Sequence, residues 1–260
     1  MNLINTIAGF GVGAAIGMTG VGGGSLMTPI LVLLFGFAPS TAVGTDLWFA
    51  AVTKTVGGLL HHRRGTVDWQ ILRRLALGSI PAAVVTLSWM YFTGTSQSKQ
   101  GLIVHTLGAV LALTAVAMLA RKKIQSFAAH LRIDTPYMFK TVQPVLTVLA
   151  GVVLGILVSL TSVGAGALGT VMLLYLYPLR MSPSRLVGTD IVHAIPLVVI
   201  AGTGHLLKGN VDLQLLKNLL LGSVPGVIIG TFIASKSSDV FLRSAIALIL
   251  AVVAVKLLWS

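Results

Sequence analysis

The chain contains no cysteine. That absence excludes disulfides, thiol chemistry and cysteine-based metal sites. Charge is scarce as well: only 9% of residues are charged, against about 25% in a typical soluble domain. Acidic residues are the scarcest, with 6 against 18 lysines and arginines, for a formal net charge of +12 over 260 residues. The opening Met1-Asn2-Leu3-Ile4-Asn5-Thr6 carries no basic residue, so a cleaved signal peptide is not expected and the first segment is expected to stay. No histidine pair has a metal-binding spacing such as His-x3-His or Glu-x-x-His, and no cofactor is expected.

What remains is apolar. Hydrophobic residues make up 55% of the chain and mean hydropathy is +0.96. Apolar runs of roughly 20 residues recur from end to end, the length a helix needs to cross about 30 Å of hydrocarbon. These features predict an all-α polytopic membrane protein, multi-pass in the cell inner membrane. The basic residues sit in short loops, as in His61-His62-Arg63-Arg64, Arg73-Arg74 and Arg121-Lys122-Lys123, the pattern of cytoplasmic loops. No contiguous basic face with reading side chains is visible, so nucleic acid is not an expected partner. The expected partners are the bilayer and a small anion, with a homodimer as one assembly the reading allows.

One stretch organises the rest. Thr19-Gly20-Val21-Gly22-Gly23-Gly24-Ser25 interrupts an apolar run, and Thr161-Ser162-Val163-Gly164-Ala165-Gly166-Ala167 repeats it. Each break precedes an undersized apolar segment, 25–36 and 167–178, too short to span unaided. Long runs then follow at about 41–62, 75–93 and 101–120 and, after the second break, at 185–207, 215–234 and 240–258. Beyond Pro39 and Pro183 the halves align at a constant offset of 144, pairing Gly44-Thr45-Asp46 with Gly188-Thr189-Asp190 and His61 with His205. Gly65, Val67, Asp68, Gln70 and Leu72 likewise pair with Gly209, Val211, Asp212, Gln214 and Leu216. The chain therefore divides into a first repeat (1–120), a basic cytoplasmic linker (121–141) and a second repeat (142–260). Each repeat holds a Gly-broken or re-entrant segment and three long transmembrane helices. The distribution of basic residues favours inverted over parallel halves only slightly.

A break in a membrane-length segment frees backbone amides where no water can bind them, and it survives only when buried in protein or lining a polar cavity. Duplicated halves with corresponding breaks point to a secondary transporter's site. The helices after Ser25 and Ala167 would aim free N–H groups and positive dipole ends at one point. The substrate-binding candidates are thus Thr19, Gly20, Gly22, Gly23, Gly24, Ser25, Thr161, Ser162, Gly164, Ala165 and Gly166. The competing reading is that these glycines only permit close helix packing. Asp46 and Asp190 lie inside apolar helices, where an ionisable group costs a few kcal/mol and is functional or partnered. They are candidates for capping the breaks or carrying a coupling proton. Lys54, which faces Val198 in the alignment, is a candidate for attracting an anion or neutralising Asp46, with snorkelling to an interface as the alternative. His193 and His105 lie in apolar runs and read as packing residues or proton relays, and His61 and His205 are expected at the interface. Trp48, Trp69, Trp89, Tyr91 and Trp259 are expected in an aromatic belt.

The T-G-V-G-G-G-S break with Pro29 in the following helix, its echo, the G-T-D of each half and the G-x-V-D after each basic loop resemble the signature of the TauE/SafE sulfite exporter family. The likeness covers nearly the whole chain. It departs in the second half, where Ala165 and Ala167 stand against Gly23 and Ser25. The resemblance implies transport of small sulfur-containing anions such as sulfite, sulfonates or sulfoacetate. The expectation is a secondary transporter, not an enzyme, exporting such an anion by alternating access. A passive anion channel, a transporter of another organic anion, an intramembrane hydrolase built on Ser25 and a scaffold are the rivals.

Overall fold

The computed structural model describes residues 3–19, 24–93, 97–134, 136–164, 166–234 and 239–259, and every regular element among them is an α-helix. In chain order these are α1 (Leu3–Thr19), α2 (Gly24–Leu33), α3 (Pro39–Arg63), α4 (Trp69–Phe92), α5 (Gln97–Asp134), α6 (Pro136–Thr161), α7 (Ala167–Leu176), α8 (Pro183–Leu207), α9 (Leu213–Ala234) and α10 (Asp239–Leu258). The first five helices correspond one by one to the last five. The stretch 121–141 is itself helical, with α5 running on to Asp134 and α6 opening at Pro136. Five helices have a stretch long and apolar enough to cross a membrane, in α4, α5, α6, α8 and α9. α3 is as long as α8, but it carries Asp46, Lys54 and a terminal His61-His62-Arg63.

The two halves are interleaved rather than side by side. α1 packs along α9, and its equivalent α6 packs along α4. Both contacts are made by backbone against backbone. A Cβ on Gly9 or Gly13 would run into the backbone of Leu219 or Ser223, and one on Gly151 or Gly155 would run into Leu75 or Ser79. In return, Gly222 and Gly226 face Thr6 and Phe10, and Gly78 faces Val148. Small residues four apart let two helices approach to backbone contact where no hydrophobic effect drives association. The register rises together on both members, so each pair runs parallel.

α3 and α8, which are equivalents of each other, cross antiparallel. Gly44 faces His205, Gly202 faces Trp48, Gly58 faces Val192 and Ile195, and Gly188 faces His61. α5 and α10 pair as well. The hairpins that follow α3 and α8 turn at Gly65 and Gly209, with φ of 62° and 72°, a conformation open to residues without a Cβ. Asp68 then caps α4 by accepting from Ile71 N at 3.2 Å, and Asp212 caps α9 by accepting from Leu215 N at 2.9 Å.

The duplicated motifs are joined crosswise. Thr45 Oγ1 accepts from Asp212 N at 3.1 Å, and Thr189 Oγ1 accepts from Asp68 N at 2.9 Å. Gly44 and Gly188 let the opposite hairpin come this close, since a Cβ there would meet the backbone of Asn210 or Thr66. The G-T-D of one half therefore clasps the G-x-V-D of the other. One clasp carries an extra latch. Arg180, in the loop before α8, makes two bonds to the Asp68 carboxylate at 2.8 and 2.9 Å and one to Gln70 at 2.9 Å. This puts the 177–182 loop at the same end of the bundle as the basic hairpin after α3.

Candidate functional site

The middle of the bundle, where the two clasps leave off, is lined by polar side chains with almost no exposure. Asp46 is 0% exposed, Asp190 2%, Lys54 4%, His193 1% and Ser162 2%. Lys54 therefore does not snorkel to an interface. It lies within electrostatic reach of both Asp190 and Asp46.

Each aspartate faces the inner end of its own half's short helix. Asp46 Oδ2 accepts from Thr28 Oγ1 at 2.5 Å and is also bonded by the Thr28 backbone, in the first turns of α2. Asp190 is bonded by the Gly166 backbone, and its Oδ1 occupies the space a Cβ on Gly169 would need in α7. A carboxylate at a helix N-terminus meets unpaired N–H groups and the positive end of the dipole. Ser162, from the second-half break, lies beside Asp46 of the first half. One break thus approaches the aspartate of the opposite repeat.

The second break is strained backbone. Ser162 has φ 59°, Gly164 125° and Gly166 137°, and Gly166 caps α7 with no side-chain hydrogen bond. Thr161 is spent locally: its hydroxyl donates to Leu157 O at 2.6 Å and accepts from Val163 N at 3.1 Å, so it terminates α6 and offers no free donor. Gly164 O accepts from Gly169 N at 3.0 Å, closing the turn into α7. Of the first break, α1 ends at Thr19 and α2 begins at Gly24. Gly20, Gly22, Gly23 and Ala165 lie outside the described residues, as do the side chains of Thr19 and Ser25, while Gly24 opens α2.

His193, three residues after Asp190, bonds Ser79 Oγ through Nε2 at 2.8 Å. Among the described residues its Nδ1 and Asp190 Oδ1 are buried without a hydrogen-bond partner, while Ser162 Oγ is buried beside the Asp46 carboxylate. Buried polar atoms are satisfied in the great majority of proteins, by protein or by ordered water.

Three expectations need correction. His205 is not interfacial: it is 1% exposed and its Nε2 bonds Ser159 O at 2.9 Å, because the antiparallel crossing folds the end of α8 beneath α3. Trp48 does not join an aromatic belt, since its ring lies on Gly202 inside the α3–α8 contact. His105 is not a packing residue: it is exposed and its Nδ1 bonds the carbonyl of Gly101 in its own helix. Trp69, Trp89, Tyr91 and Trp259 are exposed, at 46%, 46%, 63% and 86%. The sequence reading missed Ser79 altogether. Its alignment with Ser223 was visible, but nothing in the sequence places it against a histidine 114 positions away. Among the described residues no group of histidines and acids could hold a metal ion.

The family model described as Sulfite exporter TauE/SafE matches residues 5–257. The chain is 40% identical to the probable membrane transporter protein YjnA of Bacillus subtilis (strain 168), covering 99% of this chain and 100% of that one. It is 30% identical to YdhB of the same organism, also a probable membrane transporter protein, over 96% and 97%. A probable membrane transporter protein of Methanocaldococcus jannaschii, MJ0441, is 24% identical over 79% of this chain and 72% of its own. No solved structure matches.

Proposed function

Because the chain belongs to the TauE/SafE sulfite exporter family, we propose that it is a secondary transporter of a small sulfur-containing anion such as sulfite or an organosulfonate. It works by alternating access in the cell inner membrane and runs outward. The observation that carries this reading is the convergence of the two repeats: each ends a short helix at a buried aspartate, and the Ser162 break of one reaches Asp46 of the other. The anion site lies there, with Lys54 as counter-charge and with Ser162 Oγ and the Gly164 N–H as donors, while the Gly166 N–H serves Asp190. Asp46 and Asp190 are not direct ligands, since two carboxylates would repel the anion. They hold the short helices and carry the coupling charge.

The halves are inverted in the membrane. Two facts support this: equivalent helices α3 and α8 run antiparallel, and Arg180 of the second half meets the basic hairpin of the first. A two-fold axis relating antiparallel helices is perpendicular to them and so lies in the membrane plane. It also gathers Arg63, Arg64, Arg73, Arg74, Arg180 and Arg185 at one end, the cytoplasmic one. A passive channel would share the site but would not need its symmetry.

The test is anion counterflow in proteoliposomes alongside a thermal-shift screen of inorganic and organic anions. Sulfite or a sulfonate is expected to raise the melting temperature and to show trans-stimulated exchange. Gly166→Leu, at φ 137°, is expected to abolish exchange. Exchange at the wild-type rate in that variant removes the site assignment, and flux without trans-stimulation replaces the transporter with a channel.

A further inference from the structure

At the buried centre the repeat duplicates neither Lys54, whose equivalent is Val198, nor His193, whose equivalent is Phe49, and Lys54 is the one of the two with a fixed charge. Its place in the fold is special. On the antiparallel register given by Gly44 against His205 and Gly188 against His61, equivalent residues of α3 and α8 meet where position 53 passes position 197. Lys54 is therefore next to the pseudo-two-fold axis. Asp46 lies eight residues toward the start of α3, about 12 Å along the helix. Asp190, between the Gly188–His61 and Val192–Gly58 contacts, is level with about position 60, about 9 Å the other way. The two carboxylates thus flank the lysine on opposite sides of the membrane's middle.

A lysine is a point charge on a flexible four-carbon stem, well suited to moving between partners. One ammonium cannot neutralise two carboxylates spread this far apart along the bundle. A buried carboxylate that loses its cation is costly, so the position of the lysine biases which half is the relaxed one. We infer that Lys54 is a positioning residue that shifts its electrostatic pairing between Asp190 and Asp46 as the two halves exchange conformations. The inference rests on the alternating-access reading above. In the present structure Asp190 lies nearer to Lys54 along the bundle than Asp46 does, on the same helix register. The opposite-facing state is the one in which Asp46 takes that place. Elements that switch have two discrete arrangements of this kind, not a continuum.

The absence of native cysteine makes the test direct. A single cysteine at Ser162, beside Asp46, is labelled in oriented vesicles by a membrane-impermeant maleimide added to one side or the other. The readout is the ratio of the two rates, in which the thiol's own reactivity cancels. Asp46→Asn leaves only the Asp190 pairing and Asp190→Asn leaves only the Asp46 pairing. The ratios in these two variants are expected to move in opposite directions, each by at least about tenfold. Lys54→Met is expected to erase the difference between them. Lys54→Val with Val198→Lys, which carries the cation across the axis, is expected to restore it. Shifts in the same direction, or a relocated lysine that labels like Lys54→Met, overturn the switch. Should one asparagine variant fail to fold, an unchanged ratio in the other has the same meaning. The labelling requires no substrate. Counterflow is read on the unsubstituted protein, since Ser162, Asp46 and Asp190 belong to the proposed site. Missing bias with intact counterflow removes the switch alone, and intact bias without counterflow removes the transport reading alone.

Discussion

The first and second repeats share a frame and differ in their chemistry. In the frame the correspondence is close: α1 on α9 mirrors α6 on α4, and the Thr45–Asp212 bond mirrors Thr189–Asp68. At the centre it breaks down. α3 carries Lys54 and Phe49 where α8 carries Val198 and His193, while Asp46 and Asp190 are common to both. Glycines and threonines that set helix distance must be kept in both copies, because an interleaved two-fold fold fails if either copy of a contact fails. The polar centre is crossed by the axis only once. A single lysine or histidine there serves both halves, and a second copy would place like charges side by side in a low-dielectric interior.

The comparison can be broken most severely at its symmetric contacts. Gly78→Leu and Gly222→Leu each drive a side chain into the backbone of the partner helix, at Val148 and Thr6. Both are expected to abolish recovery of monodisperse protein on size-exclusion chromatography, and to do so equally. A well-folded Gly222→Leu protein beside an unfolded Gly78→Leu protein would show that the frame is less symmetric than its geometry.

A smaller effect tests the one clasp with a latch. Arg180→Ala leaves the 9%-exposed Asp68 without its cation, whereas Asp212 makes no ion pair among the described residues. The arginine is itself 43% exposed, so solvent screens part of the loss and a drop of about 1 kcal/mol is expected, read as a few degrees in melting temperature. Asp68→Asn should lower it by less than Arg180→Ala, because the amide leaves no buried charge.

The smallest effect sharpens the symmetry itself. Thr45→Val and Thr189→Val each remove one acceptor from a buried N–H, worth about 1 kcal/mol. The two melting temperatures are expected to fall by the same amount, and the double variant by their sum, since the clasps lie at opposite ends of the bundle. Markedly unequal losses would mean that the Arg180 latch shares the load at Asp68.

Much of this fold was legible in the sequence. Apolar runs of membrane length, two glycine-rich breaks and a repeat at constant offset depend on local composition, and they gave ten helices with boundaries within a few residues for most. α4, α5 and α6 are the exceptions: α4 opens at Trp69 and α6 at Pro136, ahead of their apolar stretches, and α5 runs on to Asp134, because polarity ends a membrane span without ending a helix. The glycine-rich seams on α1, α6 and α9 were present as four-residue spacings but could not be assigned a partner from sequence. Each of them meets a helix of the other half.

The candidate site divides along the same line. Asp46, Asp190, Lys54 and His193 stood out because a charged or titratable residue inside an apolar run is costly wherever it ends up. The sequence by itself determined that these groups are buried in a membrane-spanning bundle and must be reconciled there. Only the tertiary structure decided with whom. Thr161 turned out to be consumed by its own turn, His205 was drawn inside, and Ser79 was brought to His193 from another helix. Lys54 came to lie between two aspartates of different halves because α3 and α8 cross antiparallel. Periodicity fixes which residues must leave the lipid, but a helix can be rotated and paired in many ways at nearly equal local cost. The choice among them belongs to contacts between segments far apart in the chain.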